Sequence, residues 1–119
     1  MKRLRLIPLL LAASLIWPCH ALAAQAEWQG VERVVAVGDI HGAYDEVTGI
    51  LQQAGVIDDQ QRWIGGQTHL VSLGDIVDRG ARSRDVLELM MRLEEEAAQA
   101  GGKVHVVLAN HEAMRVSGE

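Results

Sequence analysis

An α/β fold with a parallel sheet is the expected architecture, and three observations point to it. Short β-branched apolar runs alternate with stretches of helical periodicity, in the order strand, helix, strand, helix, strand. Glycines punctuate the series at Gly55 and Gly101-Gly102. Each apolar run also leads into a cluster of chemically active residues: Gly38-Asp39-Ile40-His41-Gly42, Gly74-Asp75-Ile76-Val77-Asp78-Arg79-Gly80 and Asn110-His111-Glu112. In such sheets the loops at the carboxyl ends of the strands converge, and sites form there.

The elements follow in chain order. Val31 to Val37 contains a β-branched run of the kind buried on both faces of a sheet. Tyr44, Val47, Ile50, Leu51 and Ala54 recur at helical spacing, and Gly55 is the expected stop. Arg62–Ile64, Gly65-Gly66 and Thr68–Leu73 read as a short hairpin leading into a second core strand. Ser83 is the expected N-cap of a second helix whose apolar stripe is Val86, Met90, Leu93 and Ala97. Glu94-Glu95-Glu96 belongs to the solvated outer face of that helix. Gly101-Gly102 ends it, and Val104–Leu108 forms the third strand. The crossovers of such a series are right-handed.

The first residues are expected to stand outside this domain. Lys2, Arg3 and Arg5 form a basic segment, and Leu6–Ile16 is apolar but too short to span a bilayer. Ala21-Leu22-Ala23 supplies small residues for a signal peptidase, so residues 1–23 read as a cleaved secretory signal. Residues 24–119 read as a single domain, and a domain of that size buries so little that it is expected to be partial. Periplasmic or secreted localisation follows from that reading, with no stable membrane anchor after cleavage. Cys19 leaves with the signal, so no disulfide is expected in the exported part. Its formal charge falls from −5 to −8. That acidity argues against a nucleic-acid partner and suits a site that gathers cations.

Within the clusters, Asp39 and His41 are two residues apart. In an extended segment both side chains point the same way and can share one divalent ion. A turn with a surface histidine is the plainer alternative. Asp75 has two oxygens and can bridge two ions, as in the paired-metal clamp on phosphoryl transfer. Arg79, on the same loop, has the planar fork that binds two phosphate oxygens at once. Asn110 can ligate with its amide oxygen. His111 beside a carboxylate such as Asp78 can serve as a general acid. Glu112 is read as structural, a loop or helix-start contact. His69 and His105 are read as packed or surface residues rather than ligands.

Taken in order, these motifs resemble the calcineurin-like metallophosphoesterases. The Asp78-Arg79-Gly80 extension is specific to their phosphoprotein-phosphatase branch. Trp63-Ile64-Gly65-Gly66-Gln67-Thr68-His69-Leu70, with Ser83 after Asp78-Arg79-Gly80, looks most like the bacterial Shewanella-like protein phosphatases. The resemblance implies the N-terminal βαβαβ part of an αββα sandwich. It implies two divalent metal ions, Mn, Fe or Zn, with Asp39 and His41 on the first, Asp75 bridging and Asn110 on the second. It also implies Arg79 and Asn110 on the phosphate, and His111 with Asp78 as the proton donor to the leaving group. A metal-bound hydroxide would then hydrolyse a phosphoester, in a phosphoprotein or a small phosphomonoester.

Two departures bear on these expectations. Ala109 stands where the family has glycine. The family also draws further histidine ligands from a C-terminal half, and no histidine follows His111. C-terminal truncation is therefore expected. The alternatives to a phosphatase are a non-catalytic remnant with partial metal binding and a relative of the diadenosine tetraphosphate hydrolases.

Overall fold

The computed structural model describes residues 25–118, so the expected signal segment, with Cys19, lies outside the described residues. Six elements form in the order β1 (Val34–Val37), α1 (Tyr44–Gln53), β2 (His69–Ser72), α2 (Ser83–Gln99), β3 (Lys103–Val106) and α3 (Asn110–Ser117). The strands make one parallel sheet in the order β1-β2-β3. Rows such as Val35, Leu70 and Val104 lie side by side across it. This is the expected α/β arrangement, and it leaves β2 in the centre, hydrogen-bonded along both edges.

Period-two alternation decides which side chains meet the helices. Val37, Leu70 and Val104 share one core with Val47 and Leu51 of α1 and with Val86, Leu89, Met90, Leu93 and Ala97 of α2. The stripe expected on α2 is therefore the buried one, with Leu89 added. Ile50 departs from the expectation for α1, since it is half exposed. Thr48 is buried in its neighbourhood instead, its hydroxyl donating to the Asp45 carbonyl at 3.0 Å. Glu94 and Glu95 are exposed, as the solvated-face reading requires. Glu96 is not wholly solvated, because its carboxylate accepts the Trp63 backbone N–H at 2.7 Å and an Arg92 N–H at 3.1 Å.

Several local expectations are corrected. β1 is not covered on both faces: Val34 and Ala36 are exposed on the side away from the helices. Leu73 and Val107, just beyond the ends of β2 and β3, are also half exposed. Trp63 does not form a hairpin with the Thr68–Leu73 run. It makes an isolated antiparallel bridge with Ile57, because the chain after α1 doubles back at once, with Ile64 N–H donating to Val56 O at 2.9 Å. Ser83 is the first helical residue rather than the cap, and Arg82 holds the cap position. The Ser83 hydroxyl instead donates back to the Gly80 carbonyl at 3.5 Å. The third strand is shorter than expected, and α3 is an additional helix. Among the described residues no helix is long and apolar enough to cross a membrane.

The core sets a clear stability contrast on α2. Leu93→Ala, at a site with no exposure, is expected to cost about 2–5 kcal/mol of unfolding free energy. Met91→Ala, 67% exposed two residues earlier, is expected to stay within about 0.5 kcal/mol of the parent. Urea midpoints of the two variants check this, and equal midpoints would contradict the assigned helix face.

Candidate metal centre

The first two loops that leave the sheet are bonded to each other before any side chain is considered. His41 N–H donates to Asp75 O and Gly42 N–H to Ile76 O, both at 2.8 Å. Gly80 N–H returns to His41 O at 2.8 Å. The backbones at Gly42 and Gly80 lie so close that a Cβ on Gly80 would fall 2.2 Å from His41 O. A side chain at either position would push the first two loops apart. Glycine is required here by contact.

The side-chain geometry rests on an unusual backbone. Asp39, His41 and Asp75 have φ of 46°, 47° and 49°, and Asp78 and Arg79 both have 68°. The expectation that Asp39 and His41 align because the segment is extended is therefore incorrect. They come together through left-handed turns. Aspartate and histidine tolerate that region better than most residues, whereas arginine is strained in it by roughly 1–2 kcal/mol. Such strain persists only where surrounding contacts over-determine the conformation.

Glu112 provides such contacts for the second loop. It is buried at the start of α3, and its carboxylate accepts the backbone N–H groups of Asp75 (2.8 Å), Ile76 (2.7 Å), Val77 (3.3 Å) and Ala109 (3.0 Å). The bond to Ala109 is the glutamate half of a capping box. The other three bonds pin the second loop. Burial opposes ionisation of Glu112, but the four N–H donors outweigh it and hold the carboxyl below its ordinary value. The structural reading of Glu112 thus stands, with a larger reach than a helix-start contact. Ala109 is extended, with φ −100° and ψ −166°, so alanine fits where the family has glycine. The close packing falls on Gly74 instead, whose added Cβ would meet that of Ala109 at 2.5 Å.

Asp39, His41 and Asp75 each present a ligand atom, and these atoms lie within 4.8 Å of one another. That spacing is close enough for the three side chains to hold one divalent cation. His41 Nδ1 lies 3.0 Å from Val77 O. A carbonyl only accepts, so Nδ1 carries the proton and Nε2 keeps a free lone pair for a metal. Asp75 Oδ1 accepts the His111 backbone N–H at 3.2 Å, which ties the third loop to the same carboxylate. The donor set of carboxylate and imidazole suits Mn, Fe or Zn without choosing among them.

Beside this cluster His111 Nδ1 meets Asp78 Oδ2 at 3.0 Å, and the His111 ring stands edge-on to His41 with centroids 4.8 Å apart. Arg115 Nε donates to the other carboxylate oxygen, Asp78 Oδ1, at 2.7 Å. The Arg115 bond, with the His111 bond behind it, draws the Asp78 carboxyl below its usual range. Arg115 was missed by sequence reasoning. The available signal was its place four residues after His111, which puts both on one helix face. Asn110 and Arg79 are exposed at the rim, and Arg79 forms no ion pair among the described residues. His69 and His105 are away from the centre and bond to each other at 3.0 Å.

Residues 32–118 match the calcineurin-like phosphoesterase family. The chain belongs to that family. The family uses divalent metals, and the Asp39, His41 and Asp75 cluster lies within the matched span. Shewanella-like protein phosphatase 2 of Arabidopsis thaliana is 39% identical over 95 residues, 80% of this chain and 24% of that protein. A symmetrical bis(5'-nucleosyl)-tetraphosphatase of Cronobacter sakazakii is 37% identical over 76 residues, 64% of this chain and 22% of that protein. Among solved structures, a cold-active protein-tyrosine phosphatase of a psychrophilic Shewanella species superimposes with a TM-score of 0.70 at 42% identity. That match covers 71% of this chain and 26% of the solved one. The chain therefore spans about a quarter of the length of these relatives.

Glu112→Gln tests the frame of the centre. At neutral pH the substitution is expected to cost roughly 2–4 kcal/mol, since an amide cannot accept four N–H groups as a carboxylate does. The depressed folded-state value means that this stability is fully present above the ordinary carboxylate value of 4.5. It is lost as pH falls through the lower folded value. The gap between parent and variant in urea unfolding should therefore narrow below about pH 4. A gap that is constant with pH would exclude a charged Glu112 as its source.

Proposed function

We propose that the protein carrying this chain is an exported phosphomonoesterase of the phosphoprotein-phosphatase type, working with two divalent metal ions. The observation that carries the reading is the convergence of Asp39, His41 and Asp75 at one sheet edge, with His111 and Asp78 hydrogen-bonded beside them. Asp39 and His41 would hold one cation, Asp75 would be shared, and Asn110 would serve the second. When bound, such cations supply Lewis-acid stabilisation of phosphoryl oxygens and activation of water.

The chain's own residues would do the remainder. Arg79, exposed on its loop and without an acidic partner among the described residues, would receive the phosphate through paired N–H donors. His111 would hold a proton on Nε2 while Asp78 engages Nδ1. As the P–O bond breaks, that proton passes to the leaving oxygen, which keeps the bonding pair. Substrates of this reading are phosphoproteins or small phosphomonoesters, as the names of the phosphatase relatives suggest. Export rests on Lys2, Arg3, Arg5, the Leu6–Ile16 run and Ala21-Leu22-Ala23.

Hydrolysis of an aryl phosphate with added Mn²⁺ tests the proposal directly. Asp75→Asn is expected to lower turnover at least about a hundredfold, since even residues that merely support ligands cost 10–100-fold. Calorimetric titration of Mn²⁺ should lose its heat signal in Asp39→Asn. Full turnover in the Asp75 variant would overturn the mechanism. Preference for a dinucleoside tetraphosphate over the aryl ester would move the reading to the hydrolase class of the tetraphosphatase relative.

A further inference from the structure

The Asp78 carboxylate has two oxygens, and the structure divides them between two partners on one helix. Oδ2 meets His111 Nδ1 at 3.0 Å, and Oδ1 takes Arg115 Nε at 2.7 Å. A second guanidinium nitrogen of Arg115 contacts the same Oδ1. His111 and Arg115 are four residues apart in α3, so they lie one above the other on a single face. Asp78 itself follows a left-handed turn, with φ 68°, on the opposite loop. Among the described residues its carboxylate takes hydrogen bonds from His111 and Arg115 and from no group of its own loop.

We infer that Arg115 is a positioning residue, whose fork holds Asp78 Oδ1 so that Oδ2 stays aimed at His111 Nδ1. Nε2 of His111 is thereby turned toward the centre. The inference rests on the reading of His111 as proton donor to the leaving group. It goes further in giving a role to a residue outside the three motifs. An ion pair serving only to fasten α3 is the competing account. Attraction alone has little force here, because the Arg115 side chain is 67% exposed while those of Asp78 and His111 are 18% and 16% exposed. What the exposed arginine can supply is direction: two N–H groups in a fixed plane on one oxygen leave the other oxygen to a single partner. The same logic governs a carboxylate that orients a catalytic imidazole in other hydrolases.

The two accounts separate on leaving-group dependence. Proton donation matters most when the departing oxygen is a poor leaving group and least for p-nitrophenolate. With the Mn²⁺-loaded protein, Arg115→Met is expected to reduce kcat/KM roughly tenfold for a simple alkyl phosphate and less than about twofold for p-nitrophenyl phosphate. Arg115→Lys should recover part of the loss, since it restores the charge and one donor but not the fork. Equal losses across the ester series, or no loss for the alkyl ester, would overturn the inference.

A second readout needs no turnover. In the metal-free protein, ¹H–¹⁵N NMR of His111 should show a protected Nδ1–H signal in the parent and a rapidly exchanging one in Arg115→Met. An equally protected signal in the variant would overturn the inference as well. If the parent hydrolyses none of the esters, the phosphatase reading fails while the NMR comparison still decides what Arg115 does to Asp78 and His111.

Discussion

Glu112 joins the second loop to the start of α3 through more backbone groups than any other side chain at the centre. Its carboxylate satisfies the N–H groups of Asp75, Ile76 and Val77 on one loop and of Ala109 on the next. Without it, three consecutive amides would turn inward with no acceptor, at a cost on the order of 1–3 kcal/mol each where water cannot reach. With it, the second loop can hold Asp75 and Asp78 in left-handed conformations that an unsupported chain would leave. Everything proposed for the centre depends on those two aspartates, so it depends on a residue that ligates nothing.

The first loop is held differently. It has no buried carboxylate of its own and leans on the second through His41, Gly42 and Gly80, backbone to backbone. The contact is close enough to forbid a Cβ. The sequence of dependence then runs from the parallel strands, which bring the loop ends to one edge, to Glu112, which shapes the second loop. From there it passes to the interlocked glycines, which set the first loop against it. Only at the end do the Asp39, His41 and Asp75 ligand atoms come within reach of one ion. The short strands supply position, and hydrogen bonds between the loops supply direction.

The sheet itself is unevenly covered. Its helix side is filled by α1 and α2, whereas Val34, Leu73 and Val107 are half exposed on the other. Trp28 stands edge-on to His105 with centroids 4.4 Å apart and covers part of that side over the His69–His105 pair. Burial there lowers the tendency of His105 to take a proton, and the nearby His69 and Lys103 add to it. These histidines bond to each other on the far side of the strands from the helices. That accounts for them as packing residues.

Much of the fold was legible in the sequence because parallel α/β units write themselves in periodicity. The α2 stripe of Val86, Met90, Leu93 and Ala97 needs only a count along the chain, as does the order of runs and breaks. The three loop clusters were legible for the same reason, since each begins where an apolar run stops. The strand limits, the Ile57–Trp63 bridge and the true start of α2 were not, because local pattern cannot say where hydrogen-bonding partners end. The left-handed turns at Asp39 and His41 were likewise hidden: their conformation is imposed by Asp75, Ile76 and Gly80 from another loop. The sequence by itself determined the order of the elements and that the three clusters begin where the strands end, because both are local patterns. Only the tertiary structure decided that Glu112 frames the second loop and that Arg115 reaches Asp78. Both are contacts across more than thirty residues, and no spacing rule extends that far.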